Sequence, residues 1–598
     1  MNSVLKKTIT VSVTVLIGLQ LWLVFYLQLF GDEAFYWLEG QYLALSYSEL
    51  PGWTAWMIRL GTSVFGNHYF AVRFMSYAAF LSIFIALYLI NSRLNNKNIR
   101  SINSLVLLSM PLLVLIAVMA LPDVWLIFFT LWIVYYFLKA SQDNNITDWI
   151  VLGIILACSI NVHVRMWIWL FFAGLSFLVC FRSHPKIIKP LLLITLPLTL
   201  LGLVPVLIFN YHNDFALFAF QFGQRHPWQF QSQNFSFLFS QLLVITPVVF
   251  YLWLKSVFTI KHYFKQTPIV GWILLTAMMH WLFYVVMSLF VDGLRTTVHW
   301  LLISYVPVLA LSTYLIKNKI LLRVAVFSGG LVSLCLLLFL SLNKHTQSNL
   351  QARMLDNSMG WYELSESVRR LQEQHNTEYL IADYFMTASE LAFELGHPNS
   401  MKVLPHSKNQ KHGRQKQLQI MNRLLQDPKD FKHRALLVIE DSGLKLQDKG
   451  KYYIQLCDYF NQLVFLESVN IDNSKKQFHL FEVNNDTKQG NSCQFPPLFY
   501  IDHKIDDQFI EISGWSIIHN SSIQSLSVVS ANDTYPVENT KITNNGIADM
   551  FPEIKDNNLP DSAFNIRLPI TSIKNNTYKF IVVSSDNNKY LSQNYFLD

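Results

Sequence analysis

Up to about residue 342 the chain is written as a succession of long apolar runs, and beyond it short apolar runs alternate with polar ones. A helix needs roughly 20 apolar residues to cross the hydrocarbon of a bilayer. Runs of that order lie at 9–30, 70–90, 101–120, 124–140, 149–162, 166–181, 190–210, 236–254, 268–290, 300–316 and 321–342. The pattern predicts a polytopic α-helical membrane protein with about 11 transmembrane helices over residues 1–342. The first run has no small-residue cleavage site and is too long for a signal peptide, so it reads as the first span. Between the first two runs, Gly31–Arg73 is semi-polar and rich in Tyr and Trp, and it opens with Asp32 and Glu33 at the edge of apolar sequence. Carboxylates in that position are a functional hypothesis by default.

The polar remainder divides in two. Residues 345–495 alternate strand-like runs (Tyr379–Ala382, Ala435–Ile439, Gln477–Val483) with helical patterns (Trp361–Gln374, Thr387–Leu395), which predicts a small α/β domain. Residues 496–598 show short strands between Asn, Asp and Ser turns, which predicts a small β-sandwich.

Composition agrees with the pattern. Of 598 residues 52% are hydrophobic and only 14% charged, against roughly 25% charged in soluble domains. The net charge of +7 is spread over loops and forms no stripe for nucleic acid. Lys and Arg then fix the orientation. With the N-terminus inside, the inner loops hold Lys6, Lys7, Arg93, Lys97, Arg100, Lys139, Arg182, Lys186, Lys189, Lys255, Lys261, Lys265, Lys317, Lys319 and Arg323, whereas the outer loops hold Arg59, Arg73, Arg165, Arg225 and Arg295. The bias puts the N-terminus inside, makes the number of spans odd and leaves the polar domains outside. Asp32, Glu33, Glu39, Glu49, Asp123, Asp214 and Asp292 all fall on the outer side. Cys158, Cys180 and Cys335 lie in apolar runs, while Cys457 and Cys493 lie in the polar part, where an oxidising compartment would allow them to pair, a pairing that sequence alone does not decide.

Candidate chemistry therefore gathers on one membrane face. Asp32 suits a general base or a divalent-metal ligand, and equally a helix N-cap. Glu49 precedes Pro51, which would begin a second interfacial helix. Asp123 follows Pro122 between two apolar runs, as a site carboxylate or a plain turn residue. Arg59, Arg165, Arg225 and Arg295, with Glu33, His226 and His299, are candidate substrate contacts, and interfacial Arg also snorkels with no special role. Carboxylates and guanidinium groups on one face are what a lipid-phosphate reaction needs. No HExxH, Walker loop or GxSxG is present, so hydrolases and NTPases of those types have no support.

The segments DEAFYWLEGQYLALSY, ELPGWTAWMIRLGTSVFGNHYFAVR, LPDVWLIFF, NDFALFAFQFGQRHPW, VHWLLISYVPVLAL and ADYFMTASELAFELGHP, in this order, resemble GT-C glycosyltransferases of the bacterial protein O-mannosyltransferase and lipid A aminoarabinose-transferase group. The resemblance implies an inverting transfer from a polyprenyl-phosphate-sugar donor on the outer face of the inner membrane, to a glycolipid, glycan or protein acceptor. It implies that Asp32 is the central catalytic carboxylate, with Glu49 and Asp123 as its acidic partners and Asp32 and Asp123 as candidate ligands of a divalent metal. Leu50 stands where the aminoarabinose transferases carry a phosphate-contacting Lys, which leaves the phosphate to Arg225, Arg295 or another cation. The competing class is a polytopic transporter or lipid-linked sugar flippase. Such proteins place polar groups near the midplane on broken helices. The two classes separate on whether the outer carboxylates converge with an Arg or scatter around the rim.

Overall fold

The computed structural model describes residues 3–94, 100–226, 228–291, 298–341, 356–471, 476–485, 492–506, 508–519, 521, 523–531, 533–537, 551, 554, 563–574 and 577–597. The chain forms two compact units: Met1–Ser341 with Lys411–Gln417, and Leu342–Gln410 with Leu418–Asp598.

The first unit is helical. It opens with α1 (Ser3–Tyr26), α2 (Gly31–Gln41), α3 (Trp53–Phe65), α4 (Tyr69–Arg93), α5 (Arg100–Leu108), α6 (Pro111–Ile116), α7 (Pro122–Asp143), α8 (Ile146–Ile160) and α9 (Val164–Phe181). The helix boundaries follow local chemistry. His68 Nδ1 accepts the Ala71 N–H at 3.3 Å to start α4, Pro122 sits in the first turn of α7, and Asn144, at φ 50°, ends it. Gly61 lets α3 and α4 touch, since a Cβ there would lie 2.3 Å from the Ala71 carbonyl oxygen.

Among the described residues six helices are long and apolar enough to cross a membrane, and eight if each of two bent pairs is one span. The fold is thus a multi-pass helical one, and the expected eleven runs are all helical but not all whole. Run 101–120 breaks into α5 and α6 at Pro111, whose missing N–H cannot continue a helix. Run 236–254 bends by 103° before Pro247. Run 149–162 is only the 15-residue α8. The second interfacial helix begins at Trp53 rather than Pro51, because Pro51 is used in a β-bridge with Ser46.

The second unit carries a six-stranded sheet of β1 (Tyr379–Ala382), β2 (Met401–Val403), β3 (Ala435–Glu440), β4 (Gln462–Asn470), β5 (Gln477–Asn484) and β6 (Ser492–Cys493), in the order β2-β1-β3-β5-β4-β6. β2, β1 and β3 run parallel, and β5 is antiparallel to both β3 and β4. Helices Trp361–His375, Phe385–Leu395 and Leu446–Tyr459 accompany it. Cys457 and Cys493 are disulfide-bonded. Two further antiparallel sheets follow. One holds β7 (Leu498–Ile505), β8 (Phe509–Ile517) and β11 (Ala563–Pro569), and the other β9 (Ile523–Ser530), β10 (Asp533–Val537), β12 (Thr577–Ser584), β13 (Lys589–Leu591) and β14 (Tyr595–Phe596). One core around Ile381, Leu437 and Tyr453 also takes in Leu498, Trp515 and Ile517. The expected boundary at 495/496 therefore falls within continuous packing.

Candidate active site

Asp32 and Glu33 stand in the first turn of α2, where unpaired N–H groups and the positive end of the helix dipole favour carboxylates. They face different surroundings. Glu33 accepts the Phe30 N–H at 3.0 Å and the Ala120 N–H at 2.6 Å. Arg73 of α4 donates Nε to Glu33 Oε1 at 2.9 Å and Nη2 to Oε2 at 2.8 Å. The same guanidinium donates to the carbonyls of Leu27 at 2.7 Å and Gln28 at 3.0 Å. Both side chains are fully buried. Glu33, a substrate contact by sequence, is thus a strut joining the end of α1 to α2, to α4 and to the approach to α7. Asp32 keeps 34% of its side chain exposed.

Asp32 does not stand alone. Its Oδ1 lies 2.9 Å from Nη2 of Arg414, and Arg414 Nε lies 3.6 Å from Oε1 of Glu49. The guanidinium sits over the rings of Phe35, at 4.4 Å, and Tyr36, at 5.6 Å. Glu49 is buried close to Glu39 of α2 and approached by Ser48 Oγ at 3.4 Å. Burial pushes the Glu49 carboxyl above its ordinary range, against the pull of Arg414.

Arg414 reaches this place on a segment held at several points. Ser48 N–H donates to Gln417 Oε1 at 2.9 Å, and Ser48 Oγ donates to the Gly413 carbonyl at 2.9 Å. Lys416 pairs with Asp214 at 3.0 Å. Gly413 has φ +74°, and a Cβ there would lie 2.6 Å from the Phe220 ring, so both its backbone and its space call for glycine.

A second polar group adjoins the first. Asp123, in the first turn of α7, takes a fork from Arg165 of α9, with Nη1 to Oδ1 at 2.7 Å and Nη2 to Oδ2 at 3.2 Å. His299 Nε2 lies 3.7 Å from Asp123 Oδ1, and Asp32 is within electrostatic reach of that imidazole. Arg225 acts electrostatically on His163 and His299. Arg225 donates to Gln221 Oε1 at 2.6 Å, while Gln221 donates to the Glu49 carbonyl. Asp32, Glu49, Asp123, Arg165, Arg225 and His299 are thereby one connected set. Arg59 pairs instead with Gln41, at 2.7 Å. His226 is packed between the rings of Trp228, at 5.6 Å, and Trp300, at 6.1 Å. Arg295 lies outside the described residues.

Among the described residues no three His, Cys, Asp or Glu side chains gather as a metal site. Asp32 and Asp123, the candidate ligands, each face a guanidinium instead. That donor set does not fit a divalent cation.

Glu39, Gln221 and Arg414 are site residues that the sequence reading missed. Glu39 follows Asp32 by two helical turns, a spacing that puts both on one face of α2. Arg414 lies among the soluble segments of the sequence and carries no local signal.

Residues 50–209 match the family described as dolichyl-phosphate-mannose-protein mannosyltransferase, a range that includes Asp123 and Arg165. No curated protein sequence matches the chain. The structure resembles ArnT from Cupriavidus metallidurans in its apo state, with a TM-score of 0.57 at 12% identity over 80% of this chain and 98% of that one. It also resembles the same protein bound to undecaprenyl phosphate, with a TM-score of 0.54 at 13% identity and the same coverage. The chain has the multi-pass helical fold of that protein.

Proposed function

We propose that this GT-C-fold membrane protein is an inverting glycosyltransferase that moves a sugar from a polyprenyl-phosphate donor to an envelope acceptor, a glycolipid, glycan or protein, on the periplasmic face of the inner membrane. The observation that carries the reading is the convergence of Asp32 and Glu49 on the single buried guanidinium of Arg414, next to Asp123. A transporter has no need of such an arrangement at the end of α2, and a carboxylate with one exposed face suits a base.

In this reading the acceptor O–H or N–H donates to the open face of Asp32. The acceptor atom forms its bond to the anomeric carbon from the side opposite the phosphate. The bond between that carbon and the phosphate oxygen breaks, its electron pair stays on the leaving polyprenyl phosphate, and the acceptor proton passes to Asp32. Inversion follows from this single displacement. Asp123, locked by Arg165, keeps the neighbouring polar wall in place, and no step runs through a metal. The relative with undecaprenyl phosphate bound supports the donor class.

Asp32→Asn tests the proposal in membranes supplied with a polyprenyl-phosphate-linked sugar. Loss of a general base lowers turnover by about 10²- to 10⁴-fold, and a variant that transfers at the wild-type rate refutes it. Mass spectrometry of envelope glycolipids and glycoproteins, with and without the protein, identifies the acceptor.

A further inference from the structure

We propose that the strand-rich unit carries a second binding site, for one uncharged sugar residue of a glycan, in the crevice outside the carboxyl ends of β1 and β3. It is separate from the Asp32 site, and its occupancy is independent of the transferase reading above.

The topology selects this crevice. β2, β1 and β3 run parallel. The chain leaves β1 through the helix Phe385–Leu395 to β2 on one side, and leaves β3 through the helix Leu446–Tyr459 to β4 on the other. Where neighbouring strands send their connections opposite ways, a crevice opens outside their carboxyl ends, and α/β sheets bind ligands there. Asp383 directly follows β1, Glu440 ends β3, and His406 and Lys408 follow β2. Asp383 Oδ1 accepts the Tyr384 N–H and Oδ2 the Glu440 N–H, each at 2.8 Å, which ties the two strand ends together. Tyr384 donates its hydroxyl to Glu440 Oε2, and Lys408 Nζ lies 4.1 Å from the centre of the Tyr384 ring. The His406 ring is 5.5 Å from that of Tyr384 and 5.9 Å from that of Tyr452.

The tie accounts for Asp383 and Tyr384 and leaves other groups unengaged. Among the described residues no carboxylate lies within ion-pair distance of the Lys408 ammonium. The Tyr452 hydroxyl oxygen is buried with no hydrogen-bond partner among the described residues, within electrostatic reach of Asp383. His406 Nδ1 accepts the backbone N–H of Lys408 at 3.1 Å. Burial and the Lys408 charge hold that imidazole down at about 4, so the ring is uncharged at neutral pH and its proton is on Nε2. Space is kept as well. A Cβ at Gly443 would lie 2.6 Å from Lys408 Nζ and 3.4 Å from Glu440 Oε1, so the missing side chain leaves the gap between ammonium and carboxylate open. A phosphate in that gap is repelled by Glu440, and a cation by Lys408. A sugar residue carries no charge, and its hydroxyls both donate and accept, so it suits the donors Lys408, His406 and Tyr452 and the acceptor Glu440 together. A few convergent polar groups beside aromatic rings are the make-up of small-ligand sites.

The test is saturation-transfer difference NMR on the full-length protein, in a detergent without a sugar headgroup. The probes are methyl α-mannopyranoside, methyl β-glucopyranoside and N-acetylglucosamine, and the proteins are wild type, Gly443→Ala, Lys408→Met, Tyr452→Phe and Asp32→Asn. At least one probe binds wild type. Gly443→Ala closes the gap and abolishes binding, at little cost to folding, because the group it meets is the free end of a flexible side chain. Tyr452→Phe removes one neutral hydrogen bond and weakens binding about 3- to 10-fold, and Lys408→Met removes a charged donor and weakens it on the order of 10- to 100-fold. Asp32→Asn binds as wild type does. Wild type that binds none of the three sugars overturns the inference, and so does binding that survives unchanged in Gly443→Ala. Loss of probe binding in Asp32→Asn places the sugar in the helical unit and also overturns it. Probe binding with this pattern in a protein that does not transfer leaves the inference standing and overturns only the transferase reading.

Discussion

Arg73→Leu is the perturbation that separates scaffold from chemistry in the first outer stretch. Arg73 is fully buried, and its guanidinium serves both oxygens of Glu33 and the carbonyls of Leu27 and Gln28 at the end of α1. Removing one partner of a buried ion pair costs about 3–5 kcal/mol, because the other charge stays buried without compensation. Glu33 keeps its two backbone N–H donors, so a cost near the lower end of that range is expected. The double variant Arg73→Leu with Glu33→Leu removes the stranded charge and recovers about 2 kcal/mol or more. Asp32 is the neighbour of Glu33 in the same turn, and a displacement of about 1 Å at a reacting group lowers rate on the order of 100-fold. Transfer is thus expected to fall in both variants, while stability falls mainly in the single one. Thermal unfolding in detergent, read beside the transfer rate, checks this. A loss below about 1 kcal/mol in Arg73→Leu, or a double variant less stable than the single one, refutes the strut.

Other expectations follow from named contacts. Arg165→Lys cannot reproduce the two-pronged contact to Asp123; transfer should drop about 10-fold or more with little change in melting temperature, and an unchanged rate would show that the fork does not orient Asp123. In the strand-rich unit, burial and the nearby Glu440 raise Asp383 to about 7 from an ordinary 3.8. Its folded value lies above its unfolded one, so its contribution is present below pH 4 and is lost as pH rises through about 7. The shift corresponds to at most about 4 kcal/mol. Melting of that unit between pH 5 and 8 should show the decline, and Asp383→Asn should flatten it. The Cys457–Cys493 bond spans 36 positions, and the chain-entropy relation gives about 4 kcal/mol for a loop of that length. Reduction, or Cys457→Ser with Cys493→Ser, should lower the melting temperature of the same unit, and an unchanged transition rejects the estimate.

The helical class, the order of the apolar runs and the strands β1, β3 and β5 were legible because they depend on local periodicity. Three strands are nearly coextensive with their expected ranges. The integrity of each span was less legible. A hydropathy run does not say whether a proline inside it, such as Pro111 or Pro247, is absorbed or breaks the helix. In the site, Asp32, Glu49, Asp123, Arg165, Arg225 and His299 could be nominated because the bilayer confines outer loops to a thin layer, which makes membership of that layer a strong restriction on contact. Glu33 shows the limit of that restriction. A carboxylate at a helix start reads alike whether it faces substrate or an arginine on a neighbouring helix, and only the position of Arg73 on α4 decides between them.

Arg414 marks a different limit, and it bears on how the site works. Asp32 is fixed by the first turn of α2, whereas its counter-ion comes from residues 411–417, which fold with the helical unit although they lie between stretches of the other. A base supplied with a cation from its own helix would be paired permanently, since residues one turn apart on a helix stay adjacent. A cation on a separate segment is placed instead by contacts such as those of Ser48 with Gly413 and Gln417. Removing one of those contacts tests the point. Gln417→Ala removes the Ser48 N–H contact without touching Arg414, Asp32 or Glu49. Transfer should fall several-fold, roughly the worth of one neutral hydrogen bond, because the guanidinium beside Asp32 and Glu49 loses one of its supports. A variant with an unchanged transfer rate would place the positioning of Arg414 elsewhere.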